Sequence, residues 1–110
     1  MKKNPSKVLA EACAAAAEDA KASDIETFDL NGKSDLTNFV VVCTAGSVPH
    51  LRSILRKIDE QVEENLNLRP VYAERTPQAL WAVLDYIDVM VHVMTAEMRE
   101  YYSLEQMWKS

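Results

Sequence analysis

The stretch Trp81 to Thr95, WAVLDYIDVMVHVMT, constrains this chain more than any other. Residues 81–84 and 89–94 read as two extended segments joined at Asp85-Tyr86-Ile87-Asp88. In the second segment Val89, Val91 and Val93 alternate with Met90, His92 and Met94, so the two sets point to opposite sides of a strand. Both sets are mostly apolar, which predicts a strand in the middle of a sheet covered on both faces. The junction places two carboxylates and a phenol between strands that want burial, and a polar cluster on rigid strands is where function is sought first.

The remaining elements follow from local signals. Asn4 as N-cap and Pro5 at the first helical position start a helix with Val8, Leu9, Ala12, Cys13, Ala16 and Ala20 on its apolar side. Its alanine-rich face is shallow, predicting light packing over the sheet or against a partner. Residues 25–30 form a strand candidate with Phe28 and Leu30 on one face, and Asn31-Gly32 signals a tight turn. Residues 39–44 are a β-branched run that reads as a buried strand. Ser47 caps the next helix, Pro49 lies in its first turn, and Leu51, Ile54, Leu55, Ile58, Val62 and Leu66 form its apolar face. Its polar face carries Arg52, Arg56 and Lys57 first and Asp59, Glu60, Glu63 and Glu64 later, the reverse of the order a helix dipole favours, and is expected to be solvated. Asn67 is the predicted C-cap, with Pro70 at the helix exit.

Residues 71–74 are then a short strand and Thr76-Pro77 a turn. Thr95 caps a short helix over residues 96–100, and Ser103 and Gln106 have capping-box spacing that would dock Leu104, Met107 and Trp108 onto the body. The order α-β-β-α-β-β-β-α predicts a single α+β domain over residues 1–110 around a mixed, five-stranded sheet flanked by helices.

A chain of 110 residues can build a core without disulfides or metal, and Cys13 and Cys43, far apart in sequence, read as reduced structural thiols of a cytoplasmic protein. No apolar run approaches a bilayer span, and Met1-Lys2-Lys3-Asn4-Pro5 has no apolar core after it, so neither membrane nor signal peptide is expected. The net charge of −5 argues against gripping nucleic acid through its phosphates and suits docking to a basic protein.

Catalytic signals are sparse. His50 and His92 have no partner at metal-ligand spacing, so no metal or cofactor is expected. His92 reads as a hydrogen-bonded core histidine, while His50 can cap its helix, meet a partner or do neither. Gly46-Ser47 between strand and helix resembles the small-residue loop of nucleotidyltransferases, which also need clustered carboxylates for two metals. Asp85 and Asp88 lack the alternate-residue spacing that would aim both at one ion. A metal-dependent nucleotidyltransferase is therefore the alternative reading, and a non-enzyme the leading one.

Three segments together resemble the Iojap family of ribosomal silencing factors. They are Asn38-Phe39-Val40-Val41-Val42-Cys43-Thr44 with Gly46, Ser47 and His50; Trp81-Ala82-Val83-Leu84-Asp85-Tyr86 followed by Asp88-Val89-Met90-Val91-His92-Val93; and Arg99-Glu100-Tyr101-Tyr102 with Leu104, Glu105 and Trp108. The resemblance implies a nucleotidyltransferase-like topology without a catalytic site. It also implies binding to the intersubunit face of the large ribosomal subunit through its fourteenth protein, with little rRNA contact, blocking small-subunit joining and lowering translation. Trp81, Asp85, Tyr86 and Asp88 match the motif and are the implied contact residues, with Glu74, Arg99, Tyr101 and, beside it, Tyr102 as further candidates. Core packing for Trp81 and turn-amide bonding for the aspartates are the competing roles. A homodimer through the alanine-rich helix or a strand edge is compatible with this when the chain is off the ribosome. The chain departs from the family at Ile87, where glycine is usual, and at Ala45-Gly46-Ser47-Val48-Pro49, where a glycine-threonine-serine run and a basic residue before histidine are usual.

Overall fold

Helix α1 (Pro5–Asp19) begins where the sequence signals it, the Asn4 side chain accepting the Ser6 N–H at 3.0 Å and proline occupying the first turn. The structure is a computed structural model and describes residues 4–30 and 37–102. The Asn31-Gly32 turn and the Ser103 capping box, with Leu104, Met107 and Trp108, lie outside the described residues.

Strand β1 (Ser23–Asp29) starts two residues before the predicted segment and ends one before it, with a register shift between Ser23 and Glu26 and a left-handed Asp24 at φ 48°. It pairs antiparallel with β2 (Phe39–Ala45), buried along its whole length. Helix α2 (Val48–Leu66) has the expected caps: Ser47 Oγ accepts the His50 N–H at 3.1 Å, and Asn67 takes the left-handed conformation at φ 56°. β3 reduces to Tyr72–Ala73. β4 (Trp81–Asp85) and β5 (Val89–Thr95), the two predicted extended segments, pair as an antiparallel hairpin, and α3 (Ala96–Tyr102) runs two residues past its expected end.

The sheet order is β1-β2-β5-β4-β3, with β2 and β5 parallel and every other pair antiparallel. Two strands far apart in sequence thus form the centre, and both are β-branched and apolar as that position demands. This is the mixed, five-stranded α+β architecture expected from the element order.

Helices α1 and α2 lie against one face. There Val41, Cys43, Leu84, Val89, Val91 and Val93 meet Leu9, Cys13, Leu51, Ile54, Ile58 and Val62. Expected to pack lightly, α1 is instead part of the main core, burying Ser6, Leu9, Ala10, Cys13, Ala16 and Ala17. Small side chains make its face shallow, yet that same smallness suits close packing on α2 and the sheet. The buried alanines are not a surface for a second copy. Cys13 and Cys43 are free and fully buried, and burial pushes both thiols up to about 12, which leaves them inert.

The opposite face departs from the expectation of full cover. Leu30, Val40, Val42 and Met94 are buried there, with Phe28, Trp81 and Met98 packed around them. Beyond that small cluster the surface opens, leaving Met90 and Val83 half-buried. No helix among the described residues is long and apolar enough to cross a membrane.

Candidate functional site

The open face is organised by β4. Alternation puts Trp81, Val83 and Asp85 on one side of the strand, and Ala82 and Leu84 on the helix-covered side. Pairing extends this set, because residues directly opposite share a face. Asp85 lies between Tyr72 of β3 and Met90 of β5, Val83 opposite His92, and Trp81 opposite Met94.

Trp81 donates its Nε1–H to His92 Nδ1 at 3.0 Å, with ring centroids 5.9 Å apart. That bond requires Nδ1 to be unprotonated, so His92 is neutral. Burial acts in the same direction, lowering its pKa from 6.5 to about 4. His92 is therefore the hydrogen-bonded core histidine that its strand position suggests. On its other side Trp81 meets Tyr102 at 5.5 Å, and Tyr102 meets Tyr101 edge-on at 4.9 Å. The result is a row of four rings running from the buried centre of the sheet to Tyr101, which is 81% exposed. Leu80, Glu97, Met98, Tyr101 and Tyr102 line a groove of about 260 Å³ at the outer end of that row.

Acids lie away from the aromatic row, toward the hairpin end of β4 and β5 and the β3 edge. Asp85 Oδ1 accepts the Ile87 N–H at 2.8 Å, so the turn role applies to it, while its charge stays at the surface. Asp88 is exposed at the hairpin tip, its carbonyl accepting the N–H groups of Asn38 and Phe39. Glu74 stands at the β3 edge, its two oxygens accepting from the Tyr72 and Thr76 hydroxyls, each at 2.9 Å.

Two expected contact residues lie elsewhere. Tyr86 is one residue beyond Asp85, so the pleat turns it into the helix-covered core, where it is 7% exposed and its hydroxyl has no partner among the described residues. Burial first, then the Cys13 and Asp59 charges, push its phenol pKa up. Arg99 clasps the fold from within: it donates to Glu26 Oε2 at 2.8 Å, to Thr44 Oγ1 at 2.9 Å and to the Asp24 carbonyl. Its side chain is 11% exposed, so it ties α3 to β1 and β2 and has little left for a partner. Tyr72, Val83 and Met90 belong to the open face and are missing from the contact residues expected from the sequence. Alternation along β4 is enough to find Val83, whereas Tyr72 and Met90 need the strand register.

The Gly46-Ser47 loop, the feature behind the enzymatic alternative, turns its polar groups inward. Gly46 N–H donates to His50 Nδ1 at 2.9 Å, Ser47 Oγ caps α2, and His50 Nε2 lies 2.7 Å from the Ala20 carbonyl. The loop thereby joins α2 to the end of α1, and His50 serves structure.

The sequence profile of the family described as "Ribosomal silencing factor during starvation" matches residues 3–110. The chain is 33% identical over 102 residues to the ribosomal silencing factor of Bacillus subtilis, covering 93% of this chain and 86% of that protein. It is 30% identical over 95 residues to the chloroplastic protein Iojap of Zea mays, covering 86% of this chain and 41% of that longer protein. A crystal structure of a Chromobacterium violaceum protein superimposes with a TM-score of 0.87 at 26% identity, covering 93% of this chain and 84% of that one.

Proposed function

The chain belongs to the ribosomal silencing factor family, and on that premise we propose that it represses translation without catalysis, by docking its open sheet face onto the large ribosomal subunit. The docking partner in this reading is the subunit's fourteenth protein on the intersubunit face, and the bound factor excludes the small subunit by bulk, in the cytoplasm. The observation that carries it is the composition of the open face: Trp81, Tyr102 and Tyr101 in tilted and edge-on contact at one end of β4 and β5, with the acids Asp85 and Asp88 at the hairpin end. Aromatic anchors at one end of a face and acids at the other suit a basic protein surface with apolar recesses, and a chain of net charge −5 approaches such a surface favourably. Direct rRNA contact from this face is expected to be small.

Capture of isolated large subunits by the full chain tests the reading. Trp81→Ala and Asp85→Asn are each expected to weaken capture by about 30-fold, the scale of a central contact residue, with the far-UV spectrum native. Absence of capture by the unaltered chain would sink the proposal. Native variants that bind as well as the parent would move the contact off this face. Sucrose-gradient analysis of subunit joining then separates docking from exclusion: the parent chain should reduce joined ribosomes and Asp85→Asn should not.

A further inference from the structure

The reversed charge order of α2 serves nothing on the open face. Arg52 and Arg56 are one turn apart on the helix, where like charges repel, and they lie toward the end whose dipole disfavours cations. The structure sets them beside Arg75, the residue after Glu74, around a cavity of about 220 Å³ between α2 and the β3 edge. Among the described residues none of these three guanidiniums has an ion-pair or hydrogen-bond partner, although the chain has 17 acids against 12 bases. Glu74 also lines the cavity, but both of its oxygens are already bonded by Tyr72 and Thr76. Asp59, one helical turn beyond Arg56, also lines the cavity, but its Oδ1 is buried out of reach of it, within the influence of the Tyr86 phenol.

Unpaired guanidiniums converging on one cavity make an anion site, and their planar forks match phosphate oxygens. The cavity is smaller than the roughly 300–1,000 Å³ of a site for a drug-sized molecule, so it suits one group of a larger ligand. We infer that Arg52, Arg56 and Arg75 form a binding site for a phosphate group. The phosphate can come from an RNA backbone or from a free ribonucleotide. This site lies on the opposite side of the sheet from Trp81 and Asp85 and stands whether or not that face binds the ribosome.

Titration of the isolated full chain with uridine monophosphate and with a short labelled oligouridylate, at low salt, tests the site. Both are expected to bind, and the Arg52→Gln/Arg56→Gln double variant to bind at least about tenfold more weakly, the scale of one lost charge-assisted bond. An oligomer that binds more tightly than the monophosphate, with a salt slope reduced by about one per arginine removed, identifies RNA backbone as the source. Equal or tighter binding of the monophosphate identifies a free nucleotide. No binding of either probe, or equal binding by a double variant with a native spectrum, overturns the site.

Discussion

The two faces of the sheet differ in how far the chain itself completes them. On the α1 and α2 side, Ala82 and Leu84 of β4 meet Val91 and Val93 of β5 beneath two helices, and all four are buried. On the other side, Trp81, Val83 and Asp85 of the same strand are each half-buried, with Tyr72 exposed beside Asp85. One strand therefore contributes alternately to a finished core and to an unfinished surface. Stability is concentrated in one set of positions and recognition, on the reading above, in the other. Substitutions on the two sides should separate these properties.

The sharpest contrast is between adjacent residues. Leu84→Ala removes a fully buried side chain from the finished face and should cost about 3 kcal/mol, within the 2–5 kcal/mol spread of such truncations. Val83→Ala, one residue away and half-buried, should cost under about 1 kcal/mol. Urea unfolding of the two variants checks this, and comparable losses would dissolve the distinction between the faces.

His92 tests the boundary, since it belongs to the open face yet is only 8% exposed. Its pKa is about 4 in the folded chain against 6.5 when unfolded, so between those values the unfolded chain binds more protons. Stability attributable to His92 is therefore complete above about pH 6.5 and falls as pH drops toward 4. Between pH 7.5 and pH 4.5 this amounts to about 2–3 kcal/mol. Denaturant unfolding of the parent and of His92→Gln at both pH values isolates the contribution from that of the carboxylates. Equal pH losses in the two proteins would show that water reaches the ring and that the face opens further inward than its packing indicates.

Much of this was legible where the physics is local. The caps at Asn4, Ser47 and Asn67 act within four residues, so residue type and spacing suffice to place them. The apolar alternation of β5 likewise announces a central strand. The parallel pairing of β2 with β5 joins segments about fifty residues apart, and only tertiary packing selects it. Tyr72 becomes Asp85's neighbour by the same kind of long-range register. Tyr86 shows a different failure: a motif continuous in sequence groups it with Asp85, but the pleat sends consecutive residues to opposite faces. Arg99 reads as a surface cation because its partner, Glu26, lies 73 positions away.

A modest effect of opposite sign is expected at Ile87, where both faces meet at the hairpin tip. Its φ is 75°, and the Asp88 N–H bonds back to the Tyr86 carbonyl at 2.9 Å across this single residue. A β-branched side chain is poorly suited to that backbone region, and glycine occupies it freely. A bond spanning one residue of positive φ is a γ-turn, a strained conformation that glycine takes most freely, which gives the family's usual residue here a physical reason. The isoleucine side chain is 59% exposed, so burial returns little for the strain. Ile87→Gly should relieve about 1–3 kcal/mol of backbone strain and lose roughly 0.5–1 kcal/mol to the freer unfolded chain. A net gain of about 1 kcal/mol is expected, read as a higher urea midpoint with an unchanged slope. A lower midpoint would mean that the isoleucine packs at the tip more firmly than its exposure indicates, extending the finished core around the end of β4.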